Sequence, residues 1–203
     1  MKENSISLSG KQVDFAGTVK QTFSFLIQDY GMECTAERKN SFIKVCYASK
    51  DVFLYVHFDT YSYELGLEVG LLSVGSKESC FYSLAEVLEV VLGKDHEYTT
   101  FCQSSTKDGV EEYIKHFSEI VKNHYEPALQ NRKDFFECLA LAKSASAELS
   151  MRNLRLQDVR KEAAEAWDNK DYSRLVELYE PIRSELTNAE LKKLDYALKQ
   201  KQL

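Results

Sequence analysis

The sequence predicts an α+β fold, with an N-terminal helix on a four-stranded antiparallel meander, followed by an all-helical C-terminal half. The first indication is that all eight glycines lie between Gly10 and Gly109, whereas both prolines come later. In the front half, runs of β-branched and aromatic residues alternate with short polar breaks, as is typical of strands. From residue 106 onward, apolar residues recur at helical spacing. We therefore expect an α+β domain over 1–103 and a helical domain over 104–203.

The first helix is predicted over 11–30, where apolar residues recur at helical spacing and Gly31 follows as a stop signal. Four strands are predicted over 32–38, 42–49, 52–59 and 63–73. Side chains alternate between the two faces of a strand, so the third and fourth strands each have one apolar face. The opposite face of these two strands is aromatic and acidic.

Ser83 followed by Glu86 forms a capping-box pattern that predicts a short helix, which Gly93 ends. A polar connector over 94–105 leads into the second half. Helices are predicted there over 110–129, 132–149, 155–167, 171–184 and 188–200. A second capping-box pattern opens the last of them, and we expect these helices to pack as hairpins.

The composition argues against several classes of protein. Eight glycines and two prolines among 203 residues are well below the usual shares of about 7% and 5%, which disfavours a turn-rich β-sandwich and a glycine-rich phosphate loop. No Gly-x-Ser-x-Gly frame is present. We assign no catalytic residue and no metal ligand, and we expect no cofactor.

The negative charge is concentrated in one part of the chain. Between Asp51 and Glu89 there are seven acidic residues and one basic residue, while the other 25 acidic and 25 basic residues cancel, so this stretch carries the whole net charge of -6. Binding to a nucleic-acid backbone requires clustered lysine and arginine, so we expect no nucleic-acid partner. A basic protein partner is the electrostatic match.

The candidate partner-binding residues lie on the acidic, aromatic face of the third and fourth predicted strands and in their connection. They are Tyr55, His57, Asp59, Tyr61, Tyr63, Glu64 and Glu68. Aromatic side chains supply much of the binding energy at protein interfaces, so the leading hypothesis is a non-enzymatic interaction module. An alternative is a metal-dependent or acid/base enzyme that uses the histidine and the three carboxylates of this set.

A second cluster lies on one face of a predicted helix and comprises Glu112, His116, Glu119 and His124. A metal site within a helical bundle would need a matching Glu-x-x-His helix, which the sequence lacks. Charge pairs on a solvated helix face are the more common use of this spacing. A third hypothesis makes the helical half the working part, as a docking surface or as the contact of a homodimer.

Localisation follows from what the chain lacks. The N-terminus has no apolar signal segment, and no apolar run approaches the ~18 residues of a membrane span, so we expect a cytoplasmic protein without membrane contact. The five cysteines include no C-x-x-C pair, which indicates neither a disulfide framework nor a common zinc site.

The layout of the chain also carries a resemblance. FSFLIQDYGMECTAERKNSFIKVCY, then VFLYVHFDTYSYELGLEVG, then a capped short helix and a helical tail follow one another in this order. This order resembles that of small bacterial cytosolic α+β proteins of the toxin-immunity type. The resemblance implies a protein that binds and antagonises another protein. Because it is a likeness of layout, it assigns no role to any residue.

Overall fold

The computed structural model describes residues 5–8, 11–72 and 80–200. The fold is α+β, and the predicted all-helical C-terminal half is confirmed, since the elements between residues 104 and 200 are all helices. Two compact units make up the chain, Met1–Lys143 and Ser144–Leu203. None of the helices in the described ranges combines the length and the apolar character that crossing a membrane requires.

The first unit contains both strands and helices. They are β1 (Ser5–Leu8), β2 (Lys11–Asp14), α1 (Phe15–Thr22), α2 (Phe25–Gln28), β3 (Glu33–Lys39), β4 (Phe42–Ala48), β5 (Val52–Asp59), β6 (Glu64–Leu71), β7 (Phe81–Ser83), α3 (Leu84–Leu92), β8 (Cys102–Gln103), α4 (Lys107–His124) and α5 (Glu126–Leu129). Helix α6 (Lys133–Asp168) begins in this unit and continues into the second.

The predicted four-stranded antiparallel meander is confirmed as β3 to β6, in which each strand pairs with the next. The sheet is larger than predicted, because two further strands pair with the free edge of β6. Strand β7 pairs with residues 68–70, and β8 pairs with Glu64 and Leu65. The predicted polar connector over 94–105 therefore contains a short strand, too short to leave a pattern in the sequence.

The prediction of one helix over 11–30 was wrong at its beginning and in its middle. Residues 11–14 form β2, which pairs with β1. Helix α1 begins at Phe15 because the Asp14 carboxylate accepts a hydrogen bond from the Gly17 amide at 2.9 Å and caps the helix. Helix α1 ends at Thr22, and α2 follows as a separate short helix. The helical spacing of the apolar residues was nevertheless informative, because Phe15, Val19 and Phe23 are all buried.

Helix α1 packs on one face of the sheet, and their contact forms the centre of the core. The ring of Phe15 lies 5.6 Å from that of Phe58 on β5, and the ring of Phe23 lies 6.1 Å from that of Tyr47 on β4. Helices further along the chain extend this core. Their buried residues include Val110, Ile114, Phe117, Ile120, Val121, Leu129, Phe135, Phe136 and Leu139.

The sequence places the domain boundary between residues 103 and 104, whereas the compact units divide between Lys143 and Ser144. Helix α4, α5 and the first turns of α6 belong to the first unit, because their apolar side chains share its core.

Replacing Tyr125 with Phe is expected to raise the free energy of unfolding of the first unit by about 1 kcal/mol, because a buried polar group without a partner costs about 1–3 kcal/mol. Its hydroxyl is fully buried and has no hydrogen-bond partner among the described residues, and burial raises the pKa of this hydroxyl. Tyr47 provides the matched control, since its hydroxyl donates to the Val19 carbonyl at 3.2 Å. The substitution Tyr47→Phe should lower the same free energy by about 1 kcal/mol.

Amide hydrogen exchange within β4 to β6 measures both changes. Tryptophan fluorescence is unsuitable here, because the single tryptophan, Trp167, belongs to the second unit. A destabilising effect of Tyr125→Phe as large as that of Tyr47→Phe would contradict the prediction.

The capping box at Ser83 is confirmed. The Ser83 hydroxyl accepts from the Glu86 amide at 3.4 Å, the Glu86 carboxylate accepts from the Ser83 amide at 2.7 Å, and α3 ends at Gly93. Further along, the helices predicted over 132–149 and 155–167 are one continuous helix, α6, because nothing between them breaks a helix.

The second unit consists of the later part of α6, α7 (Tyr172–Tyr179), a 3₁₀ helix (Glu180–Glu185) and α8 (Asn188–Gln200). Its small core contains Ala163, Ala166, Leu175, Tyr179, Leu194 and Ala197. The predicted capping box at Thr187 is confirmed, because Glu190 accepts from the Thr187 amide at 2.7 Å. The helix predicted over 171–184 is α7 followed by the 3₁₀ helix, which begins beside Pro181.

Candidate functional site

The side chains of β4 to β6 that alternate with the core residues form a second face of the sheet, here called the outer sheet surface. It comprises Phe42, Lys44, Cys46, Ala48, Phe53, Tyr55, His57, Asp59, Gly66, Glu68 and Gly70. In the register of the sheet, Cys46, Tyr55 and Glu68 lie side by side across the three strands. Most of these residues are half-buried, whereas Phe53 and Gly70 are buried.

The seven predicted partner-binding residues fall into two neighbouring groups. Four of them lie on the outer sheet surface: Tyr55, His57, Asp59 and Glu68. The other three lie at one end of it, where Tyr61 and Tyr63 belong to the β5–β6 connection and Glu64 begins β6. Alternation and the short connection were therefore sufficient to place these residues next to one another.

A row of rings runs along β5 and on to β4. The His57 ring lies 4.8 Å from the ring of Phe42 and 5.8 Å from that of Tyr55. The rings of Tyr55 and Phe53 are nearly parallel, with 5.8 Å between their centroids. The Lys44 ammonium lies 5.0 Å from the centre of the Tyr55 ring and 3.0 Å from the Glu37 carboxylate. The row is thus a continuous aromatic surface with one paired cation on it.

A groove of about 300 Å³ opens on this surface. Its lining consists of Lys44, Cys46, Ala48, Phe53, Tyr55, Leu72 and Phe81. A second ammonium group lies beside the groove, because Lys143 of α6 donates to the Phe81 carbonyl at 2.8 Å and lies 3.2 Å from Glu86. The sequence analysis did not assign Phe81, Leu72 or Lys143 to this surface. Phe81 and Lys143 lie outside the two predicted strands, and Leu72 lies near the end of the fourth. Their only signal was the hydrophobicity of Phe81 and Leu72.

The charges of this surface are mixed. Burial raises the pKa of Glu68, one of whose carboxylate oxygens is buried without a hydrogen-bond partner among the described residues. A backbone hydrogen bond from the Tyr61 amide, 2.8 Å long, holds the pKa of the Asp59 carboxyl below its usual value. Lys44 and Lys143 stand near Glu68 and offset part of its charge. Free negative charge therefore lies at the end of the surface, on Asp59 and on exposed Glu64.

His57 is placed by packing. Its ring covers Gly66 on β6, and its Nδ1 is buried without a hydrogen-bond partner among the described residues. The pKa of His57 is lowered to about 4. Burial is the largest cause, Asp59 acts in the opposite direction, and Lys44 lowers the pKa as burial does. Asp59 itself is bound to the turn at Tyr61. In the described ranges, no group of three or more His, Cys, Asp or Glu side chains is arranged to hold a metal ion.

The β5–β6 connection and β8 form an exposed aromatic end, here called the aromatic turn and made of Tyr61, Tyr63 and Phe101. Tyr61 is 87% exposed and Phe101 is 66% exposed. Two hydrogen bonds hold the turn against β8, from the Gln103 side chain to the Ser62 carbonyl at 2.6 Å and from the Ser104 amide to the Tyr63 carbonyl at 2.9 Å. These aromatic rings are exposed on a fixed backbone.

The second predicted cluster is divided by the structure. His116 and His124 face the connector: His124 Nε2 lies 2.9 Å from the Tyr98 hydroxyl, and His116 Nε2 donates to the Thr99 carbonyl at 3.2 Å. Glu112 and Glu119 are exposed on the helix. A cavity of about 550 Å³ lies here, lined by Leu92, Asp95, His96, Glu97, Tyr98, Thr99 and His116. The two histidines hold the connector against α4.

Of the two places, the outer sheet surface with the aromatic turn has exposed apolar rings, a groove and free carboxylates together. In the histidine cavity, His116 and Tyr98 are engaged in local hydrogen bonds, whereas Nδ1 of His96 is buried without a hydrogen-bond partner among the described residues. Comparison of the chain with protein-family models, with curated protein sequences and with solved structures gave no match.

Proposed function

We propose that this chain is a non-enzymatic binding protein that engages a basic segment of another protein through the outer sheet surface and the aromatic turn. The observation that carries the proposal is the groove of about 300 Å³ between Phe53, Tyr55 and Phe81, which continues into a row of aromatic rings. Binding pockets for side chains at protein interfaces are lined in this way.

The aromatic rings match the chemistry of a basic partner. A guanidinium or ammonium group is attracted to the face of an aromatic ring, and Lys44 already occupies such a position over Tyr55. The rings of the aromatic turn are open to solvent, with Tyr61 exposed by 87%. An arginine of the partner would find both a ring and a carboxylate there.

Electrostatics favours the same class of partner. Asp59 and Glu64 flank the aromatic turn, and the segment between Asp51 and Glu89 accounts for the net charge of -6. A locally negative surface speeds the encounter with a positive partner and makes the association rate depend on salt. The aromatic contacts would then set the lifetime of the complex.

The structural roles of His57 and Asp59 support binding over catalysis. His57 packs between Phe42 and Tyr55, while Asp59 accepts hydrogen bonds within its own turn. A general base needs a lone pair that reaches a substrate, whereas the unpartnered Nδ1 of His57 is buried. The immunity-type layout is compatible with such a binder, and the five unpaired cysteines support a reducing compartment such as the cytoplasm.

The test compares two double variants with the same change of charge. The partner is first captured by crosslinking to the full chain in the native cell, and then it is purified and titrated by calorimetry. Tyr61→Ala with Glu64→Lys should weaken its binding by about 100-fold, because a central aromatic and a flanking charge each contribute about 1–2 kcal/mol. Ile27→Ala with Glu119→Lys changes an exposed apolar and an exposed acidic residue of α2 and α4, and it should bind like the wild type.

The proposal also predicts that added salt slows association with the wild type and has less effect on association with the Tyr61/Glu64 variant. Equal affinity of the two folded double variants would exclude this surface. A captured partner without a basic segment would exclude the proposed class of partner.

A further inference from the structure

The middle of α6, which belongs to the second unit, is largely exposed in the described chain. Every residue from 144 to 158 is exposed except Leu156, which is half-buried. Large apolar side chains are among them, with Leu149, Met151 and Leu154 exposed by 52%, 53% and 56%. An isolated helix of about 15 residues is marginal in water, so contact with another surface would stabilise this segment.

One side of this segment has a self-complementary composition and is here called the α6 face. Its residues follow one another at spacings of three and four, namely Ser144, Ala147, Glu148, Met151, Leu154 and Arg155. Together with Arg152, most of these side chains border a surface groove of about 440 Å³. The small residues at its beginning would allow another helix to approach closely.

The charges on the α6 face are unpaired within the described chain. Neither Glu148 nor Arg155 forms an ion pair there, although the neighbouring Arg152 lies 2.9 Å from Glu185. Glu148 and Arg155 stand two helical turns apart on the same side, with Met151 between them. A surface with opposite charges on the two sides of an apolar centre matches a copy of itself turned by 180°.

We propose that two copies of this chain associate through antiparallel contact of their α6 faces. The two-fold axis passes beside Met151, which contacts Met151 of the second copy. In this register, Glu148 of each copy faces Arg155 of the other, and Leu154 packs against Ala147 of the other. The dimer therefore contains two equivalent ion pairs around an apolar centre, and its two halves use the same residues.

The contact is small, which determines how it must be measured. Residues 144–158 span about 22 Å, and stable interfaces usually bury about 1,200–2,000 Å² in total, so we expect a weak, concentration-dependent dimer. The proposal is independent of the partner-binding role of the outer sheet surface, because the residues involved are different.

Sedimentation equilibrium of the full chain, from about 5 µM to about 500 µM, tests the proposal through charge reversal. Either Glu148→Arg or Arg155→Glu places like charges opposite each other twice, and each should weaken dimerisation by about tenfold or more. The double variant Glu148→Arg with Arg155→Glu restores opposite charges in the same register and should recover most of the wild-type affinity. Asn153→Arg, on nearly the opposite side of the same helix, should leave dimerisation unchanged.

A wild-type chain that stays monomeric over this whole range would overturn the proposal. A dimer that persists in both single variants would overturn the proposal as well. A double variant that does not regain the wild-type dimer affinity would also overturn it. Circular dichroism confirms that each variant is folded, and folding is expected to be kept because both side chains are exposed. The Tyr61→Ala with Glu64→Lys variant should still dimerise, which separates this contact from partner binding.

Discussion

Replacing Gly70 with Ala is expected to lower the free energy of unfolding of the first unit by about 3 kcal/mol, because overpacking of a filled site costs about 1–3 kcal/mol and here one neighbour is backbone. Gly70 is buried on β6, opposite Phe53. An added Cβ would collide with the Cys80 carbonyl and with the Phe53 ring. The carbonyl belongs to the chain that leads into β7 and accepts a hydrogen bond from the Leu71 amide at 3.2 Å, so it cannot move without loss of strand pairing.

Gly66 is the matched control for Gly70, four residues earlier on the same strand and face. The atoms nearest to a Cβ at Gly66 all belong to the side chain of His57, which can rotate away from the sheet. Gly66→Ala should therefore cost about 1 kcal/mol, which is the lower end of the overpacking range. Hydrogen exchange of amides in β4 to β6 measures both variants. If Gly70→Ala costs no more than Gly66→Ala, the Cys80 carbonyl does not cover Gly70.

The two glycines illustrate which parts of the fold were predictable. Strand positions and their faces followed from alternation, because burial of one face imposes a period of two on each strand. Strands β7 and β8 left no such pattern, since they contain three and two residues and depend on pairing with β6. The sequence also did not explain why residues 66 and 70 are glycines. At each position, a side chain would collide with an aromatic ring of the neighbouring strand.

The limits of helix prediction have a similar cause. Apolar spacing identified the buried side of α1 correctly, yet the first residue of the helix depends on the Asp14 cap and on pairing between β1 and β2. The break between α1 and α2 leaves the apolar spacing intact and is therefore invisible to it. The continuous α6 was divided into two predicted helices because the middle of this helix has no dominant apolar side, and within the single chain this middle part is exposed.

The candidate site was predictable where it depends on local pairing. Tyr55, His57, Asp59 and Glu68 were placed together from alternation alone, and the structure has them on one surface. Lys143 could not be placed there, because 62 residues separate it from Phe81, the residue whose carbonyl it binds. Lys143 changes the electrostatics of the groove, because it places an ammonium group beside Glu86 and near Glu68.

Acid is expected to destabilise the first unit through His57. In the folded chain the pKa of His57 is about 4, below the ordinary value of 6.5, because burial penalises the imidazolium. Between these two values the unfolded chain binds more protons, so the free energy of unfolding rises with pH across this window. On acidification from about pH 6.5 to about pH 4, His57 should remove about 2–3 kcal/mol of stability.

Glu68 has the opposite effect on the pH dependence of stability. Its pKa is raised in the folded state, so just above pH 4.5 the folded chain binds more protons at Glu68 than the unfolded chain does. The substitution His57→Gln keeps Glu68 and removes the titrating imidazole. The difference in pH slope between wild type and variant thus isolates His57, whatever the loss of ring packing does to absolute stability. Hydrogen exchange of β4 to β6 at several pH values gives both slopes.

In parallel, the NMR resonance of the His57 ring, assigned by its absence from the variant, should remain that of a neutral imidazole at pH 5.5. A midpoint near 6.5, together with equal slopes for the two proteins, would mean that the aromatic row does not enclose His57.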